Sequence, residues 1–201
     1  MRSQIVPSDT DLIGLFLGGC ERSFDTLISR YEAKVFALAV RLTKNYEDAE
    51  DVLVDVMVTV YRKVGGFNGD CAFSSWIYRV TTNVAFMKLR KNKLFRRVDR
   101  DQVFAETIGA HRTDRRVESF CPVEASDIRS TIGVAMQQLP VDQRAAFLLV
   151  DVAGMSSKEA GAALNLGLSA IKSRVHRARK FLRIKLQRFY TQTCKPVSHA
   201  G

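Results

Sequence analysis

The stretch from Met155 to Arg183, MSSKEAGAALNLGLSAIKSRVHRARKFLR, constrains the fold more tightly than any other part of the chain. Ser156, followed three residues later by Glu159, forms a capping box in which each side chain takes up the other's free backbone N–H, so a helix is predicted from about Ser157. Ala160, Ala163 and Leu164 give that helix a small apolar face, and Gly161 leaves room for a second helix to cross closely. Asn165 tolerates the left-handed conformation that stops a helix and turns the chain. A second helix is expected near Ser169. In it Ile171, Val175, Ala178 and Leu182 recur as one buried stripe, following the helical period. The opposite side carries Ser169, Lys172, Ser173, His176, Arg177 and Lys180. An apolar seam facing hydroxyls and long cations suits a helix lying in the major groove of DNA, where such side chains reach base edges and phosphates. A solvated basic face alone would look similar. The capping box, small crossing residue, left-handed turn and seam occur together, and that combination favours a DNA-binding helix-turn-helix.

Charge is distributed to match. The 201 residues carry a formal net charge of +10. Residues 1–87 hold 9 Lys/Arg against 11 Asp/Glu, residues 88–130 hold 11 against 7, and residues 131–201 hold 11 against 3. A near-neutral front and a basic back point to a polyanion partner for the back half, with nucleic acid the first candidate. A membrane surface fits less well, because the basic helix has a narrow seam of small and β-branched residues and no broad Trp/Phe/Leu face. Cys20, Cys71, Cys121 and Cys194 form no CxxC pair, and the histidines have no ligand partner beyond Cys194 and His199 in a polar tail. Reduced thiols and no metal site are expected. No signal-peptide pattern opens the sequence and no apolar run approaches membrane length, so a soluble cytoplasmic protein without membrane insertion is expected.

Taken in order, Asp9, Thr10 or Asp11 can cap a helix that Gly18-Gly19 ends. One longer helix is predicted from Phe24 through Leu27, Ile28, Tyr31, Val35 and Leu38 to Leu42. Asn45 can stop it or cap the next helix, about Glu47 to Lys63. That helix has a core side of Ala49, Val52, Val56 and Val60, and an acidic stripe of Asp48, Asp51 and Asp55 beside Glu47 and Glu50. Carboxylates strung along one helix do not converge on a point. The stripe is therefore either a solvated face or a docking surface for a basic partner.

After Gly65-Gly66, the turn-rich loop Phe67–Phe73 leads to a helix capped by Ser74 or Ser75. Trp76, Ile77, Val80 and Val84 point inward, and Tyr78, Arg79, Thr82, Asn83 and Lys88 lie on the outer face. Aromatics and an Asn beside a basic run can stack on and hydrogen-bond unpaired bases, although residues such as Trp76 and Phe73 are more often core, and this stretch alone does not establish single-strand binding. From about Asn92 to Asp127 periodicity dissolves into a polar, charged stretch read as a tether. Ile128, Ile132, Ala135, Met136 and Leu139 make a further helix ended by Pro140. Pro140 can open the next, where Ala145, Phe147, Leu148 and Val150 lead towards Gly154. The fold class is all-α: two small helical domains on a flexible linker, the second containing the helix-turn-helix. The boundaries read from the pattern are 9–95, 96–127 and 128–190.

The run YEDAEDVLVDVMVTVYRKVGGFNGDCAFSSWIYRVTTNVAFMKLRKNK resembles the second conserved region of bacterial RNA polymerase sigma factors, and LPVDQRAAFLLVDVAGMSSKEAGAALNLGLSAIKSRVHRARKFLR resembles their fourth. With no room for further domains, the chain is similar to the extracytoplasmic-function group. The resemblance implies that Asp48, Glu50, Asp51 and Asp55 dock on the polymerase clamp. It implies that Phe67, Asn68, Trp76, Tyr78, Arg79 and Asn83 melt the −10 element and hold a flipped base of the non-template strand. Lys172, Ser173, Arg174, His176 and Arg177, with Ser169 beside them, would read the −35 element. Arg174 lies off the outward face of the wheel and is expected to touch phosphate or to pack. Core polymerase, promoter DNA and an anti-sigma factor are the implied partners, with a place on the nucleoid when bound to polymerase. No cofactor, metal or catalytic residue is implied. Asn165 stands where Gly is usual, Gly167 where Pro is common, and Ala160 where a bulkier aliphatic is usual. Val54-Asp55-Val56-Met57 replaces the usual Gln-Glu pair and aromatic. The rival readings are a helix-turn-helix regulator binding a palindrome alone, and a nucleic-acid enzyme. The first leaves the acidic helix unused, and the second lacks a metal cluster or nucleophile.

Overall fold

Ala49, Val52, Val56 and Val60 are fully buried on one side of a single helix, and the first half of the fold is built around that stripe. In the computed structural model the backbone is described for residues 7–102 and 126–193, and side chains for 7–93 and 131–187. The chain divides into two compact units, Met1–Arg115 and Arg116–Gly201. Every regular element among the described residues is helical.

The first unit contains α1 (Asp9–Leu17), α2 (Glu21–Ser29), α3 (Glu32–Thr43), α4 (Tyr46–Lys63), a 3₁₀ turn (Val64–Gly66) and α5 (Phe73–Gln102). Helices α3, α4 and α5 pack on one another, burying Val35, Leu38, Ala39 and Leu42 of α3 and Ile77 and Ala85 of α5 with the α4 stripe. Lys44 ends α3 in the left-handed conformation, and Asn45 caps α4 by accepting the Asp48 N–H at 3.0 Å. Capping of this kind stabilises by about 1 kcal/mol. Helix α1 packs on α2 and the 3₁₀ turn. Phe16, Phe24 and Tyr61 meet there with ring centroids 4.9–5.3 Å apart.

Three local expectations change. The cap of α1 is Ser8, whose capping box with Asp11 starts the helix one residue ahead of the predicted cappers. Helix α5 begins at Phe73, with the Trp76 N–H donating to Ala72 O at 3.1 Å, so Ser74 and Ser75 lie inside its first turn. The single helix expected from Phe24 to Leu42 is two, α2 and α3, broken at Arg30–Tyr31. Tertiary bonds hold the break. Tyr31 N–H donates to Ile28 O at 2.8 Å, Arg30 donates to Asp9 and to Pro7 O at 2.8 Å each, and the Tyr31 hydroxyl donates to Asp9. Leu27, Tyr31 and Val35 are all buried across the bend, so the apolar spacing runs through it unbroken.

The second unit contains α6 (Ser126–Gln138), α7 (Val141–Phe147) continuing into a π turn (Leu148–Val152), α8 (Ser157–Leu164) and α9 (Leu168–Thr193). Helix α9 packs against α6, α7 and α8. Arg144 is buried and its Nη1 donates to Leu139 O at 3.3 Å and Gln137 O at 3.4 Å, tying α7 to the end of α6. Burial pulls its pKa down to about 10. The π turn, closed by Ala153 N–H on Leu148 O at 2.8 Å, inserts one residue into the helical register. Ala145, Ala146, Leu148 and Leu149 are buried, while Phe147 and Val150 are half-buried. Residues 103–125, the greater part of the expected tether, lie outside the described residues, as do Cys121, Cys194, His111 and His199. Helix α5 runs on to Gln102, into the stretch expected to be tether.

Candidate nucleic-acid interface and acidic docking face

In the second unit the helix-turn-helix forms as its residues require. Ser156 and Glu159 make the reciprocal capping box that starts α8. Asn165 ends it at φ 53°, ψ 48°, in the left-handed region, which Asn tolerates better than most non-Gly residues. At Gly161 a Cβ would stand 2.8 Å from Leu166 O and 3.6 Å from Ile171 Cγ1. Leu166 N–H donates back to Gly161 O at 2.9 Å. The glycine is thus required by the backbone of the turn, while the distance to α9 is ordinary van der Waals contact. On α9, Ile171, Val175, Ala178 and Leu182 are buried against α6, α7 and α8. Ser169, Lys172, Ser173, His176, Arg177 and Lys180 are all exposed along the opposite face.

Arg174 is half-buried with its Nη2 3.6 Å from the Asp142 carboxylate, so it packs against the start of α7. Arg179, which the pattern did not single out, forms a two-pronged pair with Asp151: Nη2 at 2.5 Å and Nε at 3.1 Å. That bond holds its pKa above the ordinary arginine value. It ties α9 to the π turn, at a sequence separation no local pattern reveals.

In the first unit the acidic stripe is partly engaged by α5. Asn92 Nδ2 donates to both oxygens of Asp48, at 3.0 and 2.9 Å. Lys88 Nζ lies 2.5 Å from Asp51 and 3.8 Å from Asp48. The hydrogen bond to Asp51, aided by the charges of Asp51, Asp48 and Asp55, raises the Lys88 pKa. Asp51 stays largely open, its side chain 63% exposed, and Glu50 and Asp55 are exposed. Further along the same outer side of α4, Val54, Val58 and Tyr61 are also exposed. Their i, i+4, i+7 spacing is a second apolar stripe that periodicity could have revealed beside the core one.

The loop and the start of α5 form an aromatic layer. Phe73 is buried and stacks on half-buried Trp76 at 5.5 Å with 28° between the planes. Half-buried Phe67 meets Phe73 at 5.6 Å and Trp76 at 5.8 Å, edge to face. Such contacts fix ring orientation as well as burying area. The two readings of these rings therefore divide by residue: Phe73 is core, and Trp76 and Phe67 show part of their surface. Asn68 is exposed and donates to Asp70 at 2.5 Å. Arg79 and Asn83 are exposed, and Tyr78 is half-buried with its hydroxyl pKa raised by burial. Thr82, expected outward, is fully buried: its hydroxyl donates to Tyr78 O at 2.8 Å, which satisfies it inside. Among the described residues no His/Cys/Asp/Glu group could hold a metal, and no helix is long and apolar enough to cross a membrane.

These two surfaces coincide with two family matches. The family model "Sigma-70 region 2" matches residues 27–95, and "Sigma-70, region 4" matches residues 129–182. The RNA polymerase sigma-H factor of Pseudomonas aeruginosa is 31% identical over 186 residues, covering 89% of this chain and 94% of that protein. The ECF RNA polymerase sigma factor SigM of Mycobacterium tuberculosis is 33% identical over 176 residues, covering 86% and 81%. Among solved structures, the sigma factor RpoE in complex with the anti-sigma factor NepR from Bartonella quintana is 25% identical, with a TM-score of 0.62 and coverage of 83% of this chain and 98% of that one. CnrH in complex with the cytosolic domain of CnrY is 25% identical, with a TM-score of 0.59 and coverage of 90% and 98%. Matches to both halves of the chain, in this order, and relatives 31% and 33% identical over 89% and 86% of it place the chain in the sigma-70 family of bacterial RNA polymerase sigma factors, in the extracytoplasmic-function group.

Proposed function

We propose that this chain, as an extracytoplasmic-function sigma factor, is a dissociable promoter-specificity subunit whose three exposed faces divide the work. Asp48, Glu50, Asp51 and Asp55 on α4 dock on a basic surface of core polymerase, with Val54 and Val58 beside them supplying apolar contact. Phe67, Asn68, Trp76, Tyr78, Arg79 and Asn83 receive the melted −10 strand. Ser169, Lys172, Ser173, His176 and Arg177 enter the major groove at the −35 element, and Arg174, set back against Asp142, reaches at most a phosphate. The working parts are residues 9–95 and 128–190, joined by the stretch 96–127, into which α5 continues as far as Gln102 and in which α6 begins at Ser126. The chain is an initiation factor: RNA synthesis is the polymerase's chemistry, and the protein works in the cytoplasm, on the nucleoid when bound to polymerase. An anti-sigma factor is a further partner, as it is for the sigma factor RpoE of similar fold.

The observation that carries this reading is the recognition helix, where every residue of the apolar seam is buried and every residue of the polar face is exposed. Each base contact from that face is worth about 1–3 kcal/mol of discrimination, and phosphate contacts set the affinity and its salt dependence. Trapping an unpaired base offsets an unstacking cost of a few kcal/mol, so opening needs no nucleotide hydrolysis by this chain. A tether lets two weak sites act on one promoter at high effective concentration. The test is run-off transcription with core polymerase on a pool of promoter fragments. Initiation that depends on this protein and fails for Lys172→Ala or Arg177→Ala supports the reading. Tight palindrome binding by the protein alone, with no initiation, supports a stand-alone regulator instead.

A further inference from the structure

The aromatic layer of the −10 face does not rest on the hydrophobic core alone. Phe73, its central ring, is met from below by Tyr31, with centroids 5.3 Å apart and planes at 71°. Tyr31 is buried, and its hydroxyl donates to the Asp9 carboxylate. Arg30 holds the other side of Asp9 at 2.8 Å and also bonds Pro7 O. A continuous line of contacts therefore runs from the first turn of α1 through Asp9, Tyr31 and Phe73 to Trp76 and Phe67. Its far end is the half-buried surface that the proposed function assigns to an unpaired base. Its near end, Asp9, lies outside the residues that match the region 2 family model, 27–95.

We propose that Tyr31, anchored by Asp9, is a positioning residue for the −10 strand. Its ring fixes the tilt of Phe73, and through Phe73 the plane that Trp76 and Phe67 present to a base. The mechanism is geometric. A base stacks only on a ring whose face is held open to it, and Phe73 is kept at its 28° angle to Trp76 by contacts on both of its sides. The Tyr31 hydroxyl has its partner on α1, so the ring cannot swing away from Phe73 without breaking a bond to a carboxylate. The first helix thereby becomes part of the strand-holding site without touching the strand. This inference rests on the reading of Phe67, Trp76 and their neighbours as the base-holding face.

The test uses holoenzyme assembled from the full chain and core polymerase. The probe is a fluorescent single-stranded oligonucleotide carrying the non-template −10 segment of a promoter found by run-off transcription. Tyr31→Leu is expected to lower oligonucleotide affinity about tenfold, and Tyr31→Phe, which keeps the ring but drops the anchor, about threefold. Core affinity should stay unchanged in both. Oligonucleotide affinity unaffected by either change overturns the proposal. So does a loss that core affinity shares in proportion, which would mark Tyr31 as structural only. Trp76→Ala separates the two levels: if it too leaves oligonucleotide binding intact, the base-holding reading falls, and if it alone weakens binding, only the role of Tyr31 falls. Should Tyr31→Leu fail to fold, Tyr31→Phe decides by the same criterion.

Discussion

A Cβ placed on Gly161 would stand 2.8 Å from the carbonyl oxygen of Leu166, a backbone atom that cannot swing aside. The turn between α8 and α9 is closed over this contact, since Leu166 N–H also bonds Gly161 O. Gly161→Ala should therefore destabilise the second unit by about 1–3 kcal/mol, the usual cost of forcing extra atoms into a packed site. Chemical denaturation of the full chain, followed by a probe in the second unit, checks this. An unchanged midpoint would show that the turn can open at no cost.

Asn165 ends α8 at φ 53°. Asn165→Ala should cost about 1–2 kcal/mol, the penalty of the left-handed conformation for an ordinary residue. Asn165→Gly should be neutral or stabilising, because glycine takes that conformation freely. The pair of variants isolates backbone strain from any lost side-chain contact when their melting temperatures are compared.

Charge reversal at Asp51, whose side chain is largely exposed, tests the docking face. Asp51→Lys should weaken binding to core polymerase at least about tenfold, because like charges across an interface cost several kcal/mol. Duplex binding through the second unit should be untouched. Fluorescence titration of labelled protein with core enzyme reads the first effect and gel shift of a −35 fragment the second.

On the recognition helix, Lys172→Ala and Arg177→Ala should each reduce the salt slope of promoter binding by about one phosphate contact or relax sequence preference at one position. Arg174→Ala differs. Its guanidinium faces Asp142 at 3.6 Å, so its loss should weaken all sequences alike. Binding measured over a salt series on matched and mutated promoters separates the cases.

Alkaline pH probes the Asp9–Tyr31 bond. Burial, then the hydrogen bond to Asp9, raise the Tyr31 pKa above its ordinary value of 10.0. A group whose folded pKa is raised binds its proton more tightly when folded, so its contribution is complete below pH 10.0 and is lost as pH climbs through the folded pKa. Tyr31→Phe should flatten the fall in stability above that pH, and melting curves of both proteins across the alkaline range show whether it does.

What the sequence made legible follows the range of the forces involved. The capping box at Ser156, the left-handed Asn165 and the α9 seam all rest on residues within a turn or two of one another, and all are found where their spacing places them. The same holds for the buried stripe of α4. The break at Tyr31 was hidden because it is held by Asp9, 22 residues away, while the local apolar period passes straight across it. Lys88 on Asp51 and Arg179 on Asp151, at separations of 37 and 28, were hidden for the same reason. Thr82 misled for another: a hydroxyl that can bond its own helix at Tyr78 O is polar by type yet content inside.

Helix α5 carries Arg79 and Asn83 near one end and Lys88 and Asn92, the residues that grip Asp48 and Asp51, further along. It is one unbroken rod from Phe73 to Gln102, so the two surfaces are set apart by a ruler, with no hinge between them. Adding one residue between Asn83 and Lys88 would lengthen that ruler by about 1.5 Å and turn its ends by about 100°, enough to point the strand-facing side chains away while the grip on α4 holds. On the proposed function, the count of residues in this stretch sets the spacing between the strand-holding side chains and the acidic docking face.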